Sequence, residues 1–240
     1  MVRDLRFRQA LNKAINYDDI VETVYFGFAK PPYTVPGQFD PEGAKKILDQ
    51  MGLDKRDAQG FRLGPDGKRF TVPIEIAAVF DTFPKVAEMV AEFWKVVGID
   101  TTVKVVESGL LDARAWANEL YATLTWPLRS DLWWAVWAPP WGYSRLWGQW
   151  IETGGAQGEE PPPEIKQAYA DLTDMFTVAP DDRAELHARY IRNLHDNLWQ
   201  LITAENIQYV VMTNKRMGNV ATKGFGIAAQ FAGEQYFFKP

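Results

Sequence analysis

The stretch Phe70–Glu107, FTVPIEIAAVFDTFPKVAEMVAEFWKVVGIDTTVKVVE, decides the fold class. Its first part, Phe70–Val79, alternates in character and is rich in β-branched residues, which predicts a strand. Phe83–Val97 has the spacing of an amphipathic helix that ends at Gly98, and Ile99–Glu107 predicts a second strand. A strand, a crossover helix and a strand form a βαβ unit, so the sequence predicts neighbouring parallel strands in an α/β fold.

The sequence on either side predicts further elements around this unit. Downstream, Leu110–Asn118 predicts a helix and Leu120–Trp126 a third strand. Upstream, Asp40 and Pro41 predict the start of a helix that Gly52 ends in a left-handed conformation. Further helices are predicted over Leu5–Tyr17, Asp18–Phe26, Pro163–Phe176 and Asp181–Leu198, with N-caps at Asp4 and Asp181, and a strand over Leu201–Val211.

The composition is that of an ordinary globular chain. The 240 residues include 47% hydrophobic and 24% charged side chains, enough for a core in one or two domains. A net charge of -5, without a basic run interleaved with aromatics, argues against nucleic-acid binding. No apolar stretch reaches the ~20 residues of a membrane span. The first residues, MVRDLRFRQA, have no apolar signal-peptide stretch, so the chain is either cytosolic or begins downstream of an export signal.

Several kinds of catalytic and metal site lack the residues they need. With no cysteine, the chain has no disulfide, thiolate metal site or thiol nucleophile. The two histidines, His187 and His195, lie eight positions apart in a predicted helix, too far to share a metal without other ligands. No hydrolase, zinc-protease or nucleotide-binding motif occurs. Glu159 and Glu160 lie in a Gly/Pro-rich loop, which favours a solvated charge pair over a glycosidase site. We therefore expect no catalytic residue, metal or cofactor.

Four blocks of residues occur in the order found in one known family. The first is FRQAL at Phe7–Leu11 followed by AINY at Ala14–Tyr17, where Tyr17 replaces an arginine usual in that family. The second block comprises Phe39-Asp40-Pro41, Ala44-Lys45, Ile47-Leu48, Gly52-Leu53, Gly60-Phe61 and Pro65-Asp66-Gly67-Lys68. The third is the helix over Val86–Val97 with Gly98-Ile99 and the strand over Thr102–Val106. The fourth comprises Pro161–Ile165, Ala184–His195 and Leu198-Trp199. Together they resemble the C-terminal lobe of the family 5 solute-binding proteins, the peptide, nickel and oligosaccharide receptors of ABC importers.

This resemblance implies an α/β lobe of the type II periplasmic-binding-protein fold, in which helices flank a mixed sheet. Residues 1–240 would form a single C-terminal lobe of a larger two-lobe receptor, with 200–240 returning toward the missing N-terminal lobe. The implied function is non-catalytic capture of an extracytoplasmic oligosaccharide or peptide by hinge closure. The implied partners are this small-molecule solute and an ABC permease in the membrane. The receptor would be a monomer, periplasmic or extracellular, with its signal peptide absent from this chain.

Seven of the ten tryptophans fall within Trp126–Trp150, which begins where the third predicted strand ends. Ligands of α/β sheets bind beyond the carboxyl ends of the strands. Indole rings stack on sugar rings or peptide side chains, and arginine and aspartate add charged hydrogen bonds. The candidate ligand-binding residues are therefore Trp126, Arg129, Asp131, Trp133, Trp134, Trp137 and Trp141.

The kind of solute is less well defined by these residues. In peptide-binding members, an aspartate at this strand end binds the peptide's terminal amine, but the spacing from Trp126 to Asp131 departs from that motif. The additional tryptophans favour an oligosaccharide. Two other interpretations stay open: a carbohydrate-active enzyme domain with tryptophan-lined subsites, and a protein-interaction domain that uses the tryptophans as its contact patch. Individual tryptophans could instead fill the core.

Overall fold

The computed structural model describes residues 1–33, 37–124, 144–208, 212–220 and 236–239. Helices and small sheets form a mixed α/β fold, as predicted. The helices are α1 (Leu5–Ala14), α2 (Tyr17–Tyr25), α3 (Pro41–Gln50), α4 (Thr82–Val96), α5 (Ser108–Trp116), α6 (Arg145–Glu152), α7 (Pro163–Asp174) and α8 (Pro180–Asn197), and the strands are β1 (Thr71–Ala77), β2 (Asp100–Val106), β3 (Met217–Gly218) and β4 (Phe237–Phe238). No described helix is both long and apolar enough to cross a membrane.

The βαβ unit predicted from the sequence is confirmed. β1 and β2 pair in parallel, in a register that runs from Thr71 opposite Asp100 to Ala77 opposite Val106. α4 connects them and buries Val86, Ala87, Val90, Ala91 and Trp94. The chain turns from α4 into β2 through Gly98, whose φ of +89° favours glycine over any residue with a Cβ.

A third segment runs parallel to β1 on the side away from β2. Ala122 forms a parallel bridge with Ile74, and its carbonyl accepts the Glu75 N–H at 3.0 Å. The strand predicted over Leu120–Trp126 is therefore present at Ala122 as a single bridge. Residues from 125 onward in that prediction lie outside the described residues.

The caps predicted for the first helices are confirmed. Asp4 accepts the Arg6 N–H at 2.9 Å at the start of α1, and Asp40 accepts the Gly43 N–H at 2.8 Å at the start of α3. Pro41 is the first residue of α3, where its missing N–H costs nothing. Gly52 follows α3 with a φ of +82°. Such caps satisfy end groups that have no partner within the helix.

Most of the core lies where α1, α2, α3 and α4 meet one face of the β1–β2 pair. Its members are apolar residues at helical or strand spacing, so burying them removes a continuous apolar surface from water. They include Phe7, Leu11, Ile20, Leu48, Ile74, Ile76, Val90 and Trp94.

A second apolar cluster joins α7 and α8. Its buried members are Ala168, Leu172, Met175, Tyr190, Leu194, Leu198 and Ile202. Leu5 of α1 packs against this cluster, and Leu201 packs against both clusters. The helical hairpin is thus connected to the α/β core through apolar contacts.

Three sequence predictions differ from the structure. Asp181 is not the N-cap of α8, because Pro180 is the first helical residue and Ala179 precedes it, so Asp181 lies in the first turn. The helix predicted over Leu5–Tyr17 ends at Ala14, because Asn16 caps α2 by accepting the Asp19 N–H at 3.3 Å. Within the described part of Leu201–Val211 there is one bridge, Lys30 to Glu205, in place of a strand.

Candidate functional site

The carboxyl ends of β1 and β2 lie at one edge of the sheet, because Ala77 is paired with Val106. Val79 and Phe80 follow β1, and Leu110 lies in the first turn of α5, which follows β2. All three are exposed, by 50%, 40% and 50% respectively. We call Val79, Phe80 and Leu110 the apolar rim. It lies at the strand ends where ligands of α/β proteins bind.

Glu107 connects β2 to α5 and caps that helix. Its Oε2 accepts the Leu110 N–H at 3.0 Å. Backbone hydrogen bonds from Gly109 and Leu110 lower the pKa of Glu107, so the carboxylate stays ionised and serves the helix N-terminus. In the sequence, Glu107 is the last residue of the second predicted strand, and its role as a helix cap was not predicted.

A charged pair connects α5 to the sheet. Glu75 of β1 is 7% exposed and accepts a hydrogen bond from Nη1 of Arg114 at 2.6 Å. Glu75 alternates along β1 with Ile74 and Ile76, which belong to the core, so its side chain lies on the opposite face of the sheet. Nε of Arg114 also lies 3.5 Å from Glu119.

The end of α5 contacts the start of α6 through a cation and an indole ring. The guanidinium carbon of Arg145 lies 4.1 Å from the centroid of the Trp116 ring. Arg145 also lies 3.3 Å from Glu152. Trp116 lies outside the tryptophan-rich stretch Trp126–Trp150. The clustering of tryptophans in the sequence therefore did not predict this contact.

The predicted ligand-binding residues are not among those that the structure describes. Trp126, Arg129, Asp131, Trp133, Trp134, Trp137 and Trp141 lie outside the described residues. Their assignment stays a prediction. The chain that precedes them, at Ala122, runs parallel to β1 and therefore toward the edge that carries the apolar rim.

Two tryptophans at the end of the tryptophan-rich stretch have packing roles in α6. Trp147 is 9% exposed and meets Trp199 edge to face, with ring centroids 5.7 Å apart. The Lys166 ammonium lies 5.0 Å from the centroid of the Trp150 ring. For these two residues the packing interpretation is the one that the structure supports.

Arg8 lies over the ring of Trp199, the residue that Trp147 contacts. Its guanidinium carbon is 4.6 Å from the Trp199 centroid, and it donates to the carbonyls of Asn197 at 2.9 Å and Val2 at 2.8 Å. Burial lowers the pKa of Arg8. These contacts tie the start of α1 to the end of α8.

The two adjacent carboxylates considered as a possible glycosidase pair bind separate cations. Glu159 forms a two-point contact with Arg3, including Nη2 to Oε2 at 2.7 Å, whereas Glu160 pairs with Lys166. Such an enzyme needs two carboxylates that flank one substrate bond, and these two have other partners. Among the described residues, no cluster of three His, Asp or Glu side chains is arranged to hold a metal ion.

Residues 1–154 match the family described as bacterial extracellular solute-binding proteins, family 5 Middle. This match covers more than half of the 240 residues. The chain therefore belongs to family 5 of the bacterial extracellular solute-binding proteins, which confirms the resemblance that the four blocks carry.

Individual relatives agree with this assignment. A putative ABC transporter peptide-binding protein of Brucella ovis is 37% identical over 65 residues, covering 22% of this chain and 12% of that protein. The fold is similar to the oligopeptide-binding protein OppA, with a TM-score of 0.68 and 28% identity over 82% of this chain. It is also similar to MelB of Agrobacterium fabrum C58 in complex with stachyose, with a TM-score of 0.70 and 18% identity over 91% of this chain.

The chain spans only part of the length of these relatives. The structural matches cover 36% of the OppA chain and 36% of the MelB chain. At 18% identity, the likeness to MelB concerns the fold alone. MelB is a periplasmic binding protein, and the two solved structures confirm the predicted type II-like α/β fold.

Proposed function

We propose that this chain is the C-terminal lobe of a two-lobe receptor that captures an extracytoplasmic oligosaccharide or peptide for an ABC importer. The proposal depends on one observation in this family 5 chain. The parallel strands β1 and β2 end at the same edge of the sheet, and the exposed residues of the apolar rim lie there. The segment with the predicted ligand-binding residues follows the third parallel segment. The receptor has no catalytic role, and its location is periplasmic or extracellular.

The apolar rim supplies a physical reason for solute capture at this edge. Half-exposed Val79 and Leu110 leave apolar surface in water, and covering such surface is favourable by roughly 25 cal/mol per Å². Ligand sites combine apolar walls with a few polar groups that fix orientation. Trp126 and Asp131 would provide the stacking surface and the charged acceptor.

Hinge closure would supply the rest of the contacts. A ligand between two lobes shifts the population toward a closed form only if it binds that form more tightly. One lobe alone has only its own share of these contacts. We therefore expect the isolated chain to bind solute more weakly than micromolar, and micromolar or tighter binding would contradict the two-lobe arrangement.

The full-length receptor provides the direct test. Its melting temperature and tryptophan fluorescence would be followed with mannohexaose, stachyose and trialanine as probes. Binding should raise the melting temperature, because a ligand that binds only the folded state stabilises it by mass action. A response to the sugars alone would assign an oligosaccharide, and a response to the peptide alone would assign a peptide.

Variants then locate the site. Trp126→Ala and Asp131→Asn should reduce the response, whereas Trp150→Phe, in a residue with a packing role, should leave the response in place. Loss of the amine contact by Asp131→Asn should affect the peptide more than the sugars. A receptor that responds to none of these probes would remain a family member and would lose this solute assignment.

A further inference from the structure

Helices α2 and α4 pack side by side on the α/β core and leave a groove of about 460 Å³ between them. Within the described residues, its lining comes from Asp19, Thr23 and Val24 of α2 and from one face of α4. None of these residues belongs to the apolar rim or to the predicted ligand-binding residues. The groove is therefore a feature that the proposed solute site does not explain.

The apolar surface of α4 extends beyond the side that the core covers. Met89, Phe93 and Val96 follow one another at spacings of four and three residues, so they lie on one side of the helix. Met89 and Phe93 line the groove and are partly buried, and Val96 is 61% exposed. We call these three residues the apolar strip. Apolar residues at this spacing are the surface by which one helix packs against another, so the strip fits a helical partner.

Carboxylates from both helices line the same groove. Asp19 lies on α2, and Glu88 and Glu92 lie four residues apart on α4. Like charges at this spacing repel each other and slightly destabilise a helix. The helix dipole favours Asp19, which lies in the first turn of α2, but gives no such benefit to Glu88 in the middle of α4. The chain therefore keeps a repulsive arrangement at this surface.

The cations of the chain pair with only part of this negative charge. Glu92 pairs with Lys95 at 2.8 Å. Lys85 also lines the groove, but within the described residues no cation lies within ion-pair distance of Asp19 or Glu88. An apolar strip beside unpaired carboxylates is complementary to a helix that carries apolar side chains on one face and lysine or arginine next to them.

We propose that the groove between α2 and α4 is the surface on which a basic amphipathic helix of the membrane permease docks. This inference rests on the proposed function, in which the permease receives the solute. Charge complementarity steers the encounter, and the apolar strip supplies contact area that water leaves on docking. A small contact of this kind suits a transient complex, and a receptor that delivers solute repeatedly must also dissociate.

A synthetic helix tests the groove in the full-length receptor. The probe is a peptide of about 15 leucine and lysine residues, roughly four helical turns, with one apolar and one basic face. Its counterpart carries glutamate in place of lysine. The leucine–lysine peptide should bind, and its affinity should fall as salt rises from about 0.05 to 0.5 M. Equal binding of the two peptides would overturn the proposal.

Charge reversal shows where the leucine–lysine peptide binds. Asp19→Lys/Glu88→Lys should weaken its binding by about tenfold or more, because like charges then meet across the contact. Asp182→Lys/Glu185→Lys is the matched control, because it makes the same change of charge at two exposed residues of α8. The control should keep its affinity within about twofold. Equal losses in the two double variants would overturn the proposal.

The apolar strip has its own variant. Val96→Ser removes apolar surface from an exposed residue, so the fold does not depend on it. Binding of the leucine–lysine peptide should weaken by about threefold or more, because less apolar area is covered on docking. Unchanged affinity would show that charge alone attracts the peptide and would overturn docking along the strip.

Cross-linking identifies the partner. The photoreactive substitution Thr23→p-benzoylphenylalanine lies in the groove, and the same substitution at Thr173, exposed on α7, is its control. With membranes of the cells that make the receptor, mass spectrometry should identify a transmembrane permease subunit at position 23 and not at position 173. A cross-link to a second copy of the receptor, to another part of the same receptor, or to no permease subunit would overturn the proposal.

The docking proposal and the solute proposal can fail separately. Asp19→Lys/Glu88→Lys should leave the melting-temperature response to mannohexaose, stachyose and trialanine unchanged. Loss of that response would show that the groove belongs to the solute site and would overturn the docking proposal. If the unmodified receptor responds to none of these solutes, the solute assignment fails, while the peptide and cross-linking results still decide whether the groove is a docking surface.

Discussion

Arg189 of α8 and Asp171 of α7 form a two-point ion pair in which Nε of Arg189 lies 2.9 Å from Oδ1 and 3.0 Å from Oδ2. Asp171 is completely buried, whereas the Arg189 side chain is 43% exposed. Gln167 also donates to Asp171 at 2.8 Å. The pair therefore fixes the α7–α8 hairpin around a buried carboxylate that depends on Arg189 for its charge partner.

This asymmetry predicts an order of effects for the two partners. Arg189→Ala leaves a buried carboxylate without its counter-ion, and Asp171→Asn leaves a guanidinium that water can solvate. We expect Arg189→Ala to lower the melting temperature of the chain more than Asp171→Asn does. Thermal unfolding followed by circular dichroism measures both. Equal melting temperatures, or the reverse order, would show that the carboxylate is solvated despite its burial.

Gly98 and Gly52 share a left-handed backbone conformation and differ in the space around them, so substitutions at the two positions distinguish backbone strain from steric crowding. Both have positive φ, +89° and +82°. A Cβ on Gly98 would overlap Nη1 of Arg56, at the far end of a flexible side chain, and would lie 3.1 Å from Cγ of Arg62. A Cβ on Gly52 would meet nothing within 4 Å. Arg62 is fully buried and donates to the Val97 carbonyl at 2.7 Å, so it cannot move freely.

Alanine at both positions tests this difference. Gly52→Ala should lower the free energy of unfolding by about 1 kcal/mol, from the left-handed backbone alone. Gly98→Ala should cost about 2–3 kcal/mol, because the guanidinium of Arg56 must move away and the buried Arg62 must also shift. Urea unfolding measures both values. If the two substitutions cost the same, the crowding at Arg62 is relieved at no cost.

Several elements were predictable because their signals are local. Asp40, Pro41 and Gly52 mark the ends of α3 within the residues that form it, and the βαβ unit follows from two periods in one continuous stretch. Such signals need no knowledge of distant contacts. The same holds for the turn at Gly98.

Other features depend on contacts that no local pattern records. The strand predicted at Leu201–Val211 needed a partner, and in the described part Leu201 and Ile202 instead pack against the apolar cluster of α7 and α8. The Trp116–Arg145 contact joins two helices across residues 117–144. At Asp181 two local signals competed, and the preference of proline for the first helical position decided the boundary.

Two buried tyrosines differ in what their hydroxyl groups contact. The Tyr17 hydroxyl donates to the side chain of Asn12 and lies 3.1 Å from the Asn12 carbonyl. The Tyr190 hydroxyl is buried and has no hydrogen-bond partner in the described structure. Removing a bonded hydroxyl leaves its partner unsatisfied, whereas removing an unbonded one does not.

Phenylalanine at each position therefore has different expected effects. Tyr17→Phe should lower the free energy of unfolding by about 1–2 kcal/mol, and Tyr190→Phe should leave it unchanged or raise it slightly. Chemical denaturation of the two variants beside the unmodified chain measures the difference. A loss at Tyr190→Phe as large as at Tyr17→Phe would show that the Tyr190 hydroxyl has a bound water or another acceptor.

The same tyrosines should make the fold sensitive to alkaline pH. Burial raises the pKa of both Tyr17 and Tyr190 above that of a free phenol, which is about 10. Above that pH the unfolded chain loses both protons, whereas the folded chain keeps them. The folded state then binds more protons, so the free energy of unfolding falls as pH rises, by up to about 1.4 kcal/mol per pH unit for each tyrosine.

The double variant Tyr17→Phe/Tyr190→Phe isolates this contribution from the lysines that titrate in the same range. Urea unfolding at about pH 8 should show only the difference from the lost hydroxyl groups, because both tyrosines are neutral in both states there. Between about pH 9 and pH 11 the unmodified chain should lose stability more steeply than the double variant. Parallel pH profiles would mean that the folded state ionises these tyrosines as easily as the unfolded chain does.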